Sequence, residues 1–160
     1  MKGGSYSKQV GLVGTDNSPE PALLWDAHHQ PPAMLVVDED RDDFILLKRA
    51  LCKTGSSARV WWAMNWQESL PLLSQLDGST QCVCVVVEIR LNGTTGWDLL
   101  AKFRGESHRS KLKVVVLTGL TDERTRCRAA HESLDGFFVK ACDPVGLREI
   151  ARDLHRIATT

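Results

Sequence analysis

Four short apolar runs, set at intervals with helical patterns between them, constrain this chain more than any other feature of its sequence. They are MLVV (34–37), CVCVVV (82–87), VVVL (114–117) and FFV (137–139). Each is continuous rather than alternating, and each is rich in valine or in bulky apolar residues. A strand that is apolar on both faces belongs inside a parallel sheet covered by helices on each side. A fifth run, RVWWAM (59–64), is less uniformly apolar and reads as a weaker strand nearer an edge.

The intervening segments carry helical spacing. Phe44, Leu47 and Leu51 make one stripe, and Leu99, Leu100 and Phe103 make another. The segment Thr121 to Glu132 opens with Thr121 as a cap, then Asp122 and Glu123 in the first turn, where the helix dipole favours acids. The last helix takes Asp143 as N-cap and Pro144 at its first position, with Val145, Leu147, Ile150, Ala151 and Leu154 on one side. Pro71 falls inside the second helical pattern and predicts a late start or a kink there. Five strands alternating with five helices predict an α/β fold, a doubly wound five-stranded parallel sheet in a three-layer sandwich. The working site of such a sheet lies at the carboxyl ends of its strands.

Length and composition narrow the classes. The 160 residues suit one domain with a tail, and 42% hydrophobic with 25% charged residues can build a real core. Twenty Lys and Arg balance twenty Asp and Glu, which argues against phosphate-neutralising nucleic-acid binding. No apolar stretch is long enough to span a membrane and the N-terminus lacks a secretory run, so the expectation is a soluble, cytoplasmic protein. The five cysteines, an odd count without a CxxC, suggest neither a disulfide framework nor a zinc site, and Cys82 and Cys84 read as core filling. Residues 1–32 hold four of the six prolines and four of the twelve glycines, and read as a flexible extension before a domain spanning 33–160. Within that extension ALLWDAH (22–28) could form a short amphipathic turn with Trp25 as an anchor.

The strand ends carry the chemistry. The first apolar run ends in Asp38-Glu39-Asp40, the third strand in Glu88, the fourth in Thr118 and the fifth in Lys140. Clustered carboxylates repel one another, and an oxygen-ligated divalent cation relieves that repulsion. A hydroxyl and an ammonium beside them suit phosphoryl oxygens.

With MLVVDEDRDDFILLKRAL, VVVEIRLNGTTGWDLL, VVVLTG and DGFFVKACDP in this order and spacing, residues 33–157 resemble the receiver domain of bacterial two-component response regulators. The resemblance implies a flavodoxin-like receiver fold. It implies an acidic pair, Asp38 and Glu39, that holds Mg²⁺ together with the phosphoacceptor position, here Glu88. It makes Thr118 and Lys140 the groups that contact the phosphoryl oxygens. The partners it implies are a histidine kinase or a downstream effector, through about residues 121–156; homodimerisation is left open.

Four positions depart from the family pattern. Glu88 stands where the family has an aspartate that accepts phosphate; one methylene longer, it is a poor acceptor and a built-in, partial mimic of the phosphorylated state. Glu39 replaces a usual aspartate and crowds the metal site, so Mg²⁺ is expected to bind weakly. Ala141 replaces a proline whose peptide bond is cis in the family, which implies either a rearranged loop or a strained one. Asn92 replaces a proline after the acceptor loop, while Gly93 and Gly96 keep the turn chemistry. Phe137 takes the aromatic switch position or serves as plain core. With no output domain after the fifth helix, the reading is a stand-alone, atypical receiver that acts by protein contact and is not an enzyme. The alternatives are a working phosphoacceptor receiver and, more remotely, a haloacid-dehalogenase-like phosphatase with Asp38 as nucleophile.

Overall fold

The structure, a computed structural model, describes residues 31–77, 83–105 and 112–160. The extension to residue 30, with Trp25, and Cys82 lie outside these residues. Five parallel strands form the sheet: β1 (Ala33–Val37), β2 (Arg59–Ala63), β3 (Val83–Val87), β6 (Leu112–Thr118) and β7 (Gly136–Val139). Two further two-residue strands, β4 (Arg90–Leu91) and β5 (Thr94–Thr95), pair antiparallel between β3 and the helix that follows. The helices are α1 (Arg41–Lys53), α2 (Trp66–Asp77), α3 (Gly96–Gly105), α4 (Glu123–His131) and α5 (Pro144–Thr159). The sheet order is β2-β1-β3-β6-β7, so the strands wind outward in both directions from β1 and β3. This is the doubly wound sandwich that the apolar runs predict.

The layers follow from which side chains each strand sends to each face. Leu35, Val37, Val85, Val87, Val114 and Val116 pack against α2, α3 and α4. Their neighbours Met34, Val36, Cys84, Val86, Val115 and Leu117 pack against α1 and α5. Every residue of β1 and β3 is buried, which explains why their sequences lack alternation. β2 and β7 are the outer strands, and β7 is half-buried along its whole length. The reading of 59–64 as an edge strand holds.

Two local expectations change. The cap of α4 is Asp122, not Thr121: its carboxylate accepts from the Thr125 N–H at 3.0 Å and from the Thr125 hydroxyl at 2.8 Å. An aspartate one residue on can reach the same orphan amides, and the first-turn acid is then Glu123 alone. Of the late start and the kink read from Pro71, the late start falls away: α2 begins at Trp66 and continues to Asp77 with Pro71 inside it. Asn65 and Glu68 fix that early start, because the Asn65 side-chain Oδ1 accepts from the Glu68 N–H at 3.0 Å while the Glu68 carboxylate accepts from the Met64 N–H at 2.9 Å. By contrast, Asp143 caps α5 as expected, accepting from the Val145 and Gly146 amides with Pro144 in the first turn.

Candidate functional site

The strand ladders themselves carry the candidate residues to one rim. Beyond the last regular pairs, the Asp38 N–H donates to the Ala63 carbonyl, the Glu88 N–H to the Val37 carbonyl and the Lys140 N–H to the Thr118 carbonyl. The side chains of Asp38, Glu88 and Thr118 are thereby set side by side, and all three are buried, at 4%, 6% and 0% exposure.

Lys140 is the hub. Its ammonium lies 2.7 Å from Asp38, 2.9 Å from Glu88 and 2.7 Å from Asp43. Asp43 is the partner that the strand-end reading misses. It sits in the first turn of α1, three residues after the cap Asp40, whose own carboxylate is spent on the Asp42 and Asp43 amides. The available signal was the helix start: once Asp40 caps α1, the acids one turn in face the same rim as the strand ends.

Glu88 is held by donors on every side. One carboxylate oxygen accepts from the Thr118 hydroxyl at 2.5 Å, the Ile89 N–H at 2.7 Å and the Arg90 N–H at 3.1 Å. The other accepts from Lys140 and, at 3.4 Å, from the Gly119 N–H. Burial pushes its pKa up, but the Thr118, Lys140 and Arg90 hydrogen bonds outweigh burial and hold Glu88 below the ordinary glutamate value. Asp38 has fewer donors, chiefly Lys140 and the Asp40 N–H, so there burial wins and its pKa is raised. Burial also opposes the Lys140 charge, yet hydrogen bonds to Asp38, Asp43 and Glu88 raise its pKa well above the ordinary lysine value. The ammonium stays charged throughout the neutral range.

Glu39 leaves the cluster. Its carboxylate accepts from the Asn92 N–H at 3.0 Å, at the turn between β4 and β5. The two departures from the family pattern are coupled: a proline at 92 would have no N–H to offer. Gly93 completes that turn with φ +77°, a conformation open to glycine at little cost. Gly96 is required for a different reason, since a Cβ there would overlap the Glu88 carbonyl and the Ile89 Cα. Among the described residues all peptide bonds are trans, so the loop at Ala141 is of the rearranged kind. Phe137 is half-buried and packs on the α2–α3–α4 side of the core.

The expected metal set does not assemble in this arrangement. Asp38 and Glu88 both pair with Lys140 and Glu39 points to Asn92, so among the described residues no three acidic, histidine or cysteine side chains converge as cation ligands.

Comparison with known proteins shows the family and the fold. The profile of the response regulator receiver domain matches residues 34–152. The chain belongs to the receiver family. A protein from Methanothrix harundinacea (strain 6Ac), described as probable methanogenesis regulatory protein FilR2, is 22% identical to this receiver over 79% of the chain and 81% of its own length. Among solved structures, the phosphorylated cyanobacterial phytochrome response regulator RcpA superposes with a TM-score of 0.69 at 16% identity, covering 82% of this chain and 96% of its own. The response regulator TrrA from Thermotoga maritima, in complex with Mg²⁺ and BeF, gives 0.59 at 22% identity, covering 77% and 98%. These likenesses confirm the flavodoxin-like receiver fold. Among the described residues no helix is long and apolar enough to cross a membrane.

Proposed function

We propose that this receiver signals through protein contact rather than phosphotransfer, with Glu88 acting as a built-in, partial substitute for a phosphorylated acceptor. One observation carries the reading. The Glu88 carboxylate already engages Thr118 and Lys140, the two side chains that in a working receiver contact the phosphoryl oxygens, together with three backbone amides. A carboxylate so saturated is a poor nucleophile, because attack on phosphorus needs a lone pair released from its donors and aimed in line. With Lys140 between Asp38 and Glu88 and the Glu39 carboxylate turned to the Asn92 N–H, any Mg²⁺ is bound weakly, by Asp38 and by Glu39 only once that hydrogen bond is given up.

Output then passes through the face formed by α4, β7 and α5, about residues 121–156. A groove of about 610 Å³ between α4 and the outer strand, lined by Ala129, Leu134, Phe137 and Val139, supports docking of a histidine kinase, an effector or a second copy there. The test is incubation with acetyl phosphate and Mg²⁺ followed by intact mass measurement. The expected result is no stable gain of one phosphoryl group (about 80 Da) in the native sequence, with some labelling restored by Glu88→Asp. Stoichiometric labelling of the native chain overturns the proposal in favour of a working phosphoacceptor.

A further inference from the structure

The outer side of the α1–α5 pair carries a second groove, of about 340 Å³. Leu46 and Leu147 form its apolar lining, and Arg49, Lys53 and Arg148 stand around it. Leu46 is 48% exposed and Val145, next to the groove residue Pro144, 56%, two of the three exposed large hydrophobic residues among those described. Asp143 also lines the groove, but its carboxylate is committed to capping α5. A surface that is apolar within and basic around asks for an occupant that is apolar and acidic.

The chain supplies one. Residues 9–30 contain Asp16, Glu20 and Asp26 and no lysine or arginine, and they include the amphipathic ALLWDAH. This segment leads into Pro32, whose carbonyl accepts from the Arg59 N–H at the foot of β2. Lys53, the last residue of α1, lies toward that same end of the sheet, because α1 runs back antiparallel to β1. Six residues from Trp25 to Pro31 reach up to about 20 Å, and α1 itself is about 20 Å long. Tethered this closely, the segment has an effective concentration in the millimolar range, so a modest contact keeps it bound.

We propose that residues 19–30 dock into the α1–α5 groove of their own chain, with Leu23, Leu24 and Trp25 on its apolar lining and Glu20 and Asp26 toward Arg49, Lys53 and Arg148. Docking covers the face that Leu46 and Val145 otherwise leave open, so any partner of that face competes with the chain's own N-terminal segment. The proposal is independent of the role of Glu88.

Cys142, exposed at the edge of this groove, reports on docking in the full chain, and Cys127, exposed on α4 in the opposite layer, is the internal reference. Peptide-resolved alkylation is measured for the native sequence, Trp25→Ser, Asp26→Lys, Arg148→Glu and the swapped pair Asp26→Lys with Arg148→Glu. The expected result is Cys142 labelling roughly twofold to fivefold faster in each single charge variant, given the usual strength of exposed ion pairs. Trp25→Ser and high salt should also speed it, the swapped pair should return it toward the native rate, and Cys127 should not change. Equal Cys142 rates in the native chain and Trp25→Ser overturn the proposal. Protection that grows with protein concentration overturns it as well, because the occupant is then a second copy.

Discussion

At the scale of single residues, Lys140 and Glu88 divide the work of keeping three carboxylates at one rim. Lys140 touches all three, so Lys140→Ala strands two buried acids without a counter-charge. The expected loss is on the order of 3 kcal/mol, read from chemical denaturation. The same variant should bind Mg²⁺ more tightly than the native chain, where titration is expected to show millimolar affinity or none. Tight micromolar binding by the native chain would mean that Glu88 serves as a metal ligand. The pH dependence has a definite sign. Glu88 has its pKa lowered by folding, so the unfolded chain binds its proton first; its contribution is present above the ordinary glutamate value of 4.5 and is lost as pH falls through the folded value. Asp38 has its pKa raised, so its contribution runs the other way and fades as pH rises above 3.8 through the folded value. Glu88→Gln should therefore flatten the acid limb of the stability profile. An unchanged limb would show that Glu88 is not held as its hydrogen bonds imply.

At the scale of elements, the loop between β3 and α3 decides where Glu88 points. The short β4–β5 pair folds the chain back, Gly93 makes the turn, and the Gly96 N–H donates to the Ile89 carbonyl at 2.7 Å. Gly96→Ala should cost about 2 kcal/mol or more, since its methyl must displace backbone rather than a pliant side chain. Urea denaturation measures it, and a loss below a few tenths would show that the loop can open freely. The sequence was informative about these elements in proportion to how local their causes are. Continuous valine runs identified β1, β3 and β6, because burial on both faces leaves a direct mark on composition. The cap of α4 was misplaced by one residue because Thr121 and Asp122 are both competent caps, and only the path of the incoming chain selects between them. α2 starts ahead of Pro71 because Asn65 and Glu68 cap it jointly, which outweighs one lost interior hydrogen bond.

At the scale of the whole molecule, the central strands belong to two cores at once. Val85 and Val87 face α2 and α3 while Cys84 and Val86 face α1 and α5. Damage to either layer therefore weakens the same sheet. Phe103→Ala on the α3 side and Leu154→Ala on the α5 side should each cost about 3–5 kcal/mol, from residues that are 1% and 0% exposed. Each should lower a single transition, with tryptophan fluorescence and circular dichroism coinciding. Separate midpoints would show that the two layers unfold independently. The rim site was only partly legible in sequence for the same global reason. Asp38, Glu88, Thr118 and Lys140 could be placed from strand ends, but Asp43 required knowing which helix face looks down the sheet. Glu39 required knowing that Asn92 offers an N–H where the family pattern has none.

The hub has a consequence for the order in which the chain is made. Translation delivers Asp38, Asp43 and Glu88 well before Lys140, and Lys140 directly follows β7, one of the two outer strands. Until that strand leaves the ribosome and adds to β6, the nascent sheet would have to bury its acids without their counter-ion. The charge cluster thus makes completion of the sheet's far edge a condition for closing its centre, and a chain halted before residue 140 would keep those carboxylates in water.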